Sequence, residues 1–404
     1  MLFDLRLLGY RLLKPLQWPT SRLIAIPRPT TFVGAGSAVR LCGSIGMFGL
    51  RRTLIVTDRV LVKLGLVETL RQSLAAKGVD VAVYDGITPD PTYDVLQHGY
   101  EAAREYRCDS ILAVGGGSVI DAAKVIDAMV VSGKTPAKLV GLLKVGKPVL
   151  PLFAIPTTAG TGSEVTVAAV VTDPVKHEKA AVIDPKLVPS ATALDPLMMK
   201  GMPQAITAAT GMDAMTHAIE AYTNRWPHPD TAFYAISAVR MIFTNLPRAC
   251  ANGEDLEARE SMAVAANYAG LAFTKAYVGY VHAFSHQIGG MYGVPHGQAN
   301  AILLPYVLDF LKDAPRARRR LADLTVAIGA GRAAESPEVL AQRFVDRIRA
   351  LNRAIGIPEK LEALQAPDIG EIARAAMVEA HRDYPVPKNM SLGEAEALMQ
   401  MCRA

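Results

Sequence analysis

Cysteine is scarce in this chain: four occur in 404 residues, Cys42, Cys108, Cys250 and Cys402, and no two form a CxxC pair. That excludes a disulfide-stapled secreted scaffold and zinc-finger chemistry, and it suits a reducing, cytoplasmic compartment. A strong charge of one sign is also missing. The formal net charge is only +5 and the excess is spread along the chain, so no nucleic-acid partner is expected. Nor is there an uncharged apolar run long enough for a bilayer span or a signal-peptide core. The first thirty residues are apolar and basic, with Leu5, Leu8, Leu12 and Leu13 able to share one helical face. That stripe is expected to pack on the body or on a second subunit, with contact to a lipid surface as the lesser alternative.

With 50% hydrophobic and 20% charged residues, the composition is that of a globular enzyme, and 404 residues exceed one ordinary core. Two domains with a cleft between them are expected. From about residue 50 to 155, short apolar runs alternate with helix-like segments: TLIVTD (53–58), VDVAVYD (79–85), SILAV (110–114) and VLPLFAI (149–155). Such alternation predicts parallel strands with crossover helices, whose ligand site lies in the loops after the strand C-termini. VTVAAVVTD (165–173) and KAAVID (179–184) read as a hairpin turning near Pro174. Beyond Asp195 the pattern is helical, punctuated by Pro203, Pro227, Pro247, Pro295, Pro315 and Pro337. The expected division is a helical extension (1–30), a Rossmann-like α/β dinucleotide-binding domain (31–194) and an all-helical domain (195–404).

SILAVGGGSVIDAAK places Gly115, Gly116 and Gly117 between a strand and a helix beginning near Ser118. Glycines let a backbone approach a pyrophosphate, and the free N–H groups at a helix start attract it. A tight turn needs the same glycines, and GGGS is not the full GxGxxG fingerprint. Asp58 ends the strand TLIVTD, where a carboxylate can accept ribose hydroxyls and repel a 2′-phosphate. That favours NAD, while Arg59 beside it leaves NADP open. Thr157, Thr158, Thr161 and Ser163 follow another strand and offer hydroxyls to the same crevice, unless they form only a polar turn.

Histidine is also scarce, with eight in the chain. GMDAMTHAIEAY (211–222) places Asp213 and His217 at i and i+4, on one helical face, and YVHAFSHQIGG (280–290) repeats that spacing with His282 and His286. His296 follows Pro295 at a helix start. A single histidine on an Ala-rich helix is usually a hydrogen-bonded core residue. Five such groups, four of them in two i,i+4 pairs, point instead to a divalent metal, Fe²⁺, Zn²⁺ or Ni²⁺, with an open position if the site is catalytic.

Taken together, GGGSVIDAAK, PTTAGTGSEVT, GMDAMTHAIEAY and HAFSHQIGGMYGVPHGQANAILLP resemble the iron-containing (group III) alcohol dehydrogenases over roughly residues 30 to 400. The resemblance implies the fold that this family shares with dehydroquinate synthase. It implies Asp213, His217, His282 and His296 as metal ligands, with His286 beside them as the catalytic histidine. Gly116, Gly117 and Ser118 become the pyrophosphate loop. Asp121 falls near the nicotinamide ribose with Lys179, and Asp58 becomes the ribose-discriminating carboxylate. The implied cofactors are NAD and Fe²⁺, with NADP and Zn²⁺ as alternatives, and the implied substrate is a small primary alcohol or aldehyde. A homodimer or higher homo-oligomer is expected.

Departures from the family pattern cluster near the expected substrate. FTKAYVGYVHAFSHQIG carries Lys275, Tyr277, Tyr280 and Gln287 at altered positions, and DYPVPKNMS (383–391) replaces a Cys-x-x-Asn-Pro-Arg type segment. Phe273 and Tyr277 are the expected pocket residues. A dehydroquinate synthase-like lyase is the competing class, but it would need a cluster of Lys and Arg for a phosphorylated acid and a Glu-led metal set. Hydroxyacid and polyol dehydrogenases are the nearer alternatives.

Overall fold

In the computed structural model the chain is described over residues 3, 6–12, 14, 24–174, 178–226 and 228–404. It forms two compact units: Ala25–Met202, and Pro203–Ala404 together with Met1–Ile24. Pro227 and residues 175–177 of the expected hairpin turn lie outside the described residues.

The first unit contains β1 (Thr30–Val33), α1 (Ser37–Met47), β2 (Arg52–Val56), α2 (Arg59–Lys63), α3 (Leu66–Ala75) and β3 (Asp80–Tyr84). It continues through α4 (Tyr93–Tyr106), β4 (Ser110–Gly115), α5 (Gly117–Ser132), α6 (Pro136–Leu139), β5 (Gly141–Leu142) and β6 (Leu152–Pro156). β7 (Ala168–Asp173), β8 (Glu178–Ile183) and β9 (Ala191–Leu194) complete it. Six strands form one sheet in the order β1-β9-β6-β4-β2-β3, and every neighbouring pair is parallel. β7 and β8 pair antiparallel, as their sequences predict, in a separate sheet of order β5-β8-β7.

The long apolar runs follow from burial on both sheet faces. On β4, Ile111 and Ala113 pack with Val119, Ile120 and Ala123 of α5, while Leu112 and Val114 turn to the other face with Leu41, Ile45 and Leu70. β3 follows β2 outward on one side and β6 lies beyond β4 on the other, so the strand order reverses between β2 and β4. Open α/β sheets bind ligands outside the strand C-termini at such a reversal. Asp58 and the glycine turn flank that point.

The second unit is helical: α7 (Gln204–Thr223), α8 (Pro229–Ala251), α9 (Leu256–Ala276), α10 (Tyr280–Tyr292), α11 (His296–Leu311), α12 (Pro315–Ala327), α13 (Pro337–Ala354), α14 (Ile369–Asp383) and α15 (Leu392–Cys402). Pro203 and Pro295 precede α7 and α11, and Pro315 and Pro337 open α12 and α13. Pro247 breaks the expected pattern, because α8 runs through it to Ala251. A proline so near the helix end removes few intrahelical bonds, and packing retains the last turn.

The described part of the N-terminal stripe does not pack on the body. Leu8 and Leu12 are 47% and 69% exposed, whereas Leu7 is buried. Arg11 decides which face turns inward, since its guanidinium reaches His381 Nε2 at 3.2 Å and the Met390 carbonyl at 3.0 Å. Leu7 is four residues before Arg11 and shares its face. Leu5 and Leu13 lie outside the described residues. Among those described, no helix is long and apolar enough to cross a membrane.

Asp127, wholly buried on α5, accepts the Leu150 N–H at 3.0 Å through Oδ1, but its Oδ2 has no partner. Burial pushes its carboxyl up to about 8, so the folded state binds this proton more tightly than the unfolded chain. Stability from the protonated form is therefore complete below pH ~4 and is lost as pH rises through about 8. Asp127→Asn keeps the acceptor without the ionisation. It is expected to raise stability at pH 8 by about 1 kcal/mol or more, the gain shrinking toward pH 4. Urea unfolding at both pH values checks this, and an unchanged midpoint at pH 8 would contradict it.

Candidate functional site

In the α/β unit, the expected nucleotide residues gather at the C-terminal edge of the central sheet. β4 ends at Gly115, Gly116 is the N-cap of α5 without a side-chain cap, and the helix starts at Gly117 with Ser118 next. The turn leaves no room for side chains. A Cβ on Gly117 would lie 2.5 Å from Thr161 Cγ2, and one on Gly115 2.5 Å from Val119 Cγ2. Thr158 faces Gly116, and Thr157 N–H donates to the Gly115 carbonyl at 3.0 Å. The threonine segment thus closes one side of an uncapped helix start, an arrangement that fits a pyrophosphate.

Asp58 caps α2 by accepting from Val60 and Leu61 N–H, both on Oδ1. Asp121 is committed internally: Oδ1 accepts the Ser163 hydroxyl at 2.5 Å and Oδ2 accepts Val170 N–H at 2.9 Å. Ser163 is therefore tied to Asp121 and also receives Lys124. Lys179 pairs with Asp90 at 2.5 Å. Lys124 is the residue that sequence reasoning passed over. Wholly buried, it donates to the carbonyls of Ser163, Thr166 and Ala168 and to two hydroxyls, which ties the threonine segment to α5. Burial lowers its pKa to about 8, against the pull of Asp121 and Glu164.

In the helical unit, one ligand atom each from Asp213, His217 and His282 lies within 4.8 Å of the others. His296 joins from the first position of α11, its Nε2 3.6 Å from Asp213 Oδ1. Gly297 permits this approach, since a Cβ there would fall 2.3 Å from the Ala209 carbonyl oxygen of α7. The other separations are 3.8 Å for His282 Nε2 to Asp213 Oδ1 and 3.9 Å for His217 Nδ1 to Asp213 Oδ2. Ligands about 2.1 Å from one tetrahedral cation stand about 3.4 Å apart, so this set of electron-pair donors fits a divalent metal. Asn300, buried on α11, turns its Nδ2 toward the same atoms, at 2.8 Å from Asp213 Oδ1, 3.1 Å from His296 Nε2 and 3.3 Å from His282 Nε2.

Glu220 completes the arrangement. Its Oε2 lies 2.6 Å from His282 Nδ1, and the carboxylate also accepts Gly279 and Val281 N–H at 2.7 Å each. With Nδ1–H donated to Glu220, the His282 Nε2 lone pair faces Asp213. Burial pushes the Glu220 carboxyl up to about 8, opposed by the backbone N–H groups of Gly279, Val281 and His282. His282 is held well below its ordinary pKa by burial and then by its histidine neighbours, which keeps it neutral as a ligand must be. Glu220 was readable in principle, because it follows Asp213 and His217 at i+7 and i+3 on the same face.

His286, one turn after His282, stacks on His296 with centroids 5.2 Å apart and bonds Glu379 through Nδ1 at 2.6 Å. Of the expected pocket residues, Phe273 stacks on His217 at 4.2 Å. Tyr277, a turn later, has φ 63 and meets Trp226 edge-on at 5.6 Å.

Comparison with known proteins places the chain in a family. Residues 28–196 match the family model "Iron-containing alcohol dehydrogenase", and residues 207–402 match "Fe-containing alcohol dehydrogenase family, C-terminal". Alcohol dehydrogenase 4 of Schizosaccharomyces pombe is 42% identical over 318 residues, covering 79% of this chain and 74% of that protein. The NAD-dependent methanol dehydrogenase of Bacillus methanolicus is 38% identical over 330 residues, covering 82% and 86%. The crystal structure of a 1,3-propanediol oxidoreductase superposes with a TM-score of 0.89 at 35% identity, covering 94% of this chain and all of that one (100%). The chain belongs to the iron-containing alcohol dehydrogenase family and is an alcohol/aldehyde oxidoreductase.

Proposed function

We propose that this enzyme exchanges hydride between NAD(H) and a small primary alcohol or aldehyde, using Fe²⁺ held by Asp213, His217, His282 and His296. The convergence of Asp213, His217 and His282, with His296 Nε2 3.6 Å from Asp213 Oδ1, carries the reading. When bound, the cation supplies Lewis-acid polarisation of the substrate oxygen, and NAD supplies the hydride-accepting carbon. Zn²⁺ suits the same ligands.

The chain's own residues bind, orient and move the proton. N–H groups at the start of α5, with Gly115, Gly116, Gly117 and Ser118, hold the pyrophosphate, and Thr157, Thr158 and Thr161 close over it. Asp121, Ser163 and Lys124 serve the cofactor by bracing that segment, and Lys179 reaches the ribose. Asp58 keeps Oδ2 outside its helix cap for the adenosine ribose and disfavours a 2′-phosphate, while exposed Arg59 keeps NADP as a second cofactor. His286 takes the hydroxyl proton at Nε2, because Nδ1 is engaged by Glu379. Phe273 and Tyr277 line the substrate side, with Phe273 excluding water next to His217.

We further propose a homodimer or higher homo-oligomer working in the cytoplasm. Free cysteines at 42, 108, 250 and 402 support the compartment. Exposed Met47 and Phe48 and the open edge of β1 are surfaces a second copy would cover.

The deciding experiment reconstitutes metal-stripped enzyme with Fe²⁺ and follows NADH and NADPH oxidation with a panel of aldehydes. His282→Ala and His296→Ala are expected to lose metal and turnover together, and wild-type turnover in either removes its ligand role. His286→Ala should keep its metal while kcat falls about 100-fold or more. An unchanged kcat would leave His286 as scaffolding.

Glu220→Gln should weaken metal affinity about 10–100-fold in competition with a chelator, through loss of the carboxylate behind His282. Equal affinity would show that the ring is oriented without it. Gly117→Ala places a methyl against Thr161 and should raise the KM for NAD at unchanged metal content. A normal KM would move the pyrophosphate away from this turn.

A further inference from the structure

We propose that Glu379 sets the orientation and tautomer of His286, so that the carboxylate–imidazole pair, rather than the imidazole alone, is the proton-handling unit. The inference rests on the assignment of His286 as proton acceptor. Glu379 lies on α14 and His286 on α10, 93 residues apart in sequence. Three groups converge on the one carboxylate. Oε1 stands 2.6 Å from His286 Nδ1 and accepts the Tyr384 hydroxyl at 2.6 Å, while Oε2 accepts Gln287 Nε2 at 2.8 Å. Neither His286 nor Glu379 is freely solvated, with side chains 24% and 18% exposed.

The arrangement admits one polarity. Burial, and then the Glu379 charge, hold the Tyr384 phenol well above its ordinary pKa, so it remains a donor. The Gln287 amide donates from the other side. A carboxylate anchored this way accepts from His286, which places the hydrogen on Nδ1 and leaves the lone pair on Nε2. The ring plane is fixed as well: it stacks on His296 at 16° and meets His282 edge-on at 5.9 Å. Without Glu379 the ring can flip and the tautomers mix, so the productive Nε2 lone pair is present only part of the time.

The same contact explains two of the sequence departures. Gln287 and Tyr384 both lie in segments that differ from the family pattern, and both are spent on this carboxylate. The altered segments therefore build a seat for Glu379.

Two variants separate orientation from charge and packing. Glu379→Gln keeps the size and one acceptor oxygen, and the Gln287 amide can flip to meet the new NH₂; Glu379→Ala removes the acceptor. In the full-length Fe²⁺-loaded enzyme, Glu379→Ala should lower kcat about 10–100-fold with metal content and the KM for NAD nearly unchanged. Glu379→Gln should recover kcat to within about five-fold of wild type. In metal-free protein labelled with ¹⁵N-histidine, the His286 resonances, assigned by their loss in His286→Gln, should show the Nδ1–H tautomer in wild type and Glu379→Gln and a mixture in Glu379→Ala.

An unchanged tautomer or wild-type kcat in Glu379→Ala would overturn the proposal. So would equal losses in both variants that follow lost metal or lost folding, since Glu379 would then be only a packing bridge. If His286→Ala itself kept full kcat, the reading of His286 would fall. If His286→Ala were impaired while Glu379→Ala was not, this inference alone would fall.

Discussion

Glu220 accepts three N–H groups at the start of α10, from Gly279, Val281 and the His282 ring, and the proposed metal site is built on that buried carboxylate. It sits on the α7 face that carries Asp213 and His217, so one helix supplies two donors and the support for a third. Gly279 makes the approach possible, since a Cβ there would lie 2.9 Å from Glu220 Oε1. A carboxylate at a helix N-terminus is also favoured by the helix dipole. Burial alone would protonate Glu220, and the converging N–H donors are what oppose it.

Glu379 does for His286 what Glu220 does for His282. Two imidazoles one helical turn apart on α10 are each held at Nδ1 by a carboxylate from another helix, and their Nε2 atoms are left for chemistry. The environments differ. His282 is buried beside Asp213 and His217, whereas His286 keeps partial access to solvent, as the proposed proton exchange requires. In the α/β unit the corresponding fixed element is the Lys124 ammonium, whose bonds to Ser163, Thr166 and Ala168 hold the threonine segment against the glycine turn.

What could be read from the sequence was what is local along the chain. Asp213 with His217, and His282 with His286, declare themselves through i,i+4 spacing, β2, β4 and β6 through apolar runs buried on both faces, and β3 through a β-branched run at the sheet edge. β1 and β9 did not, because each has four residues and they exist by pairing with each other across the length of the unit. Lys124 looked like an ordinary polar position on a helix after a glycine turn, and Asp121 stood out only through the family resemblance. Only the packed segment 163–170 shows why Lys124 is buried and what Asp121 holds.

Residue identity and periodicity by themselves determined the α/β and helical halves, the uncapped glycine turn and the two i,i+4 pairs of candidate donors, since each is a matter of backbone geometry over a few residues. The tertiary structure decided which face of the N-terminal helix turns inward, through Arg11 on His381 and Met390. It also decided which carboxylate stands behind each histidine. Glu379 lies 93 residues from His286, and no local spacing can encode a hydrogen bond that forms only once two distant helices have packed.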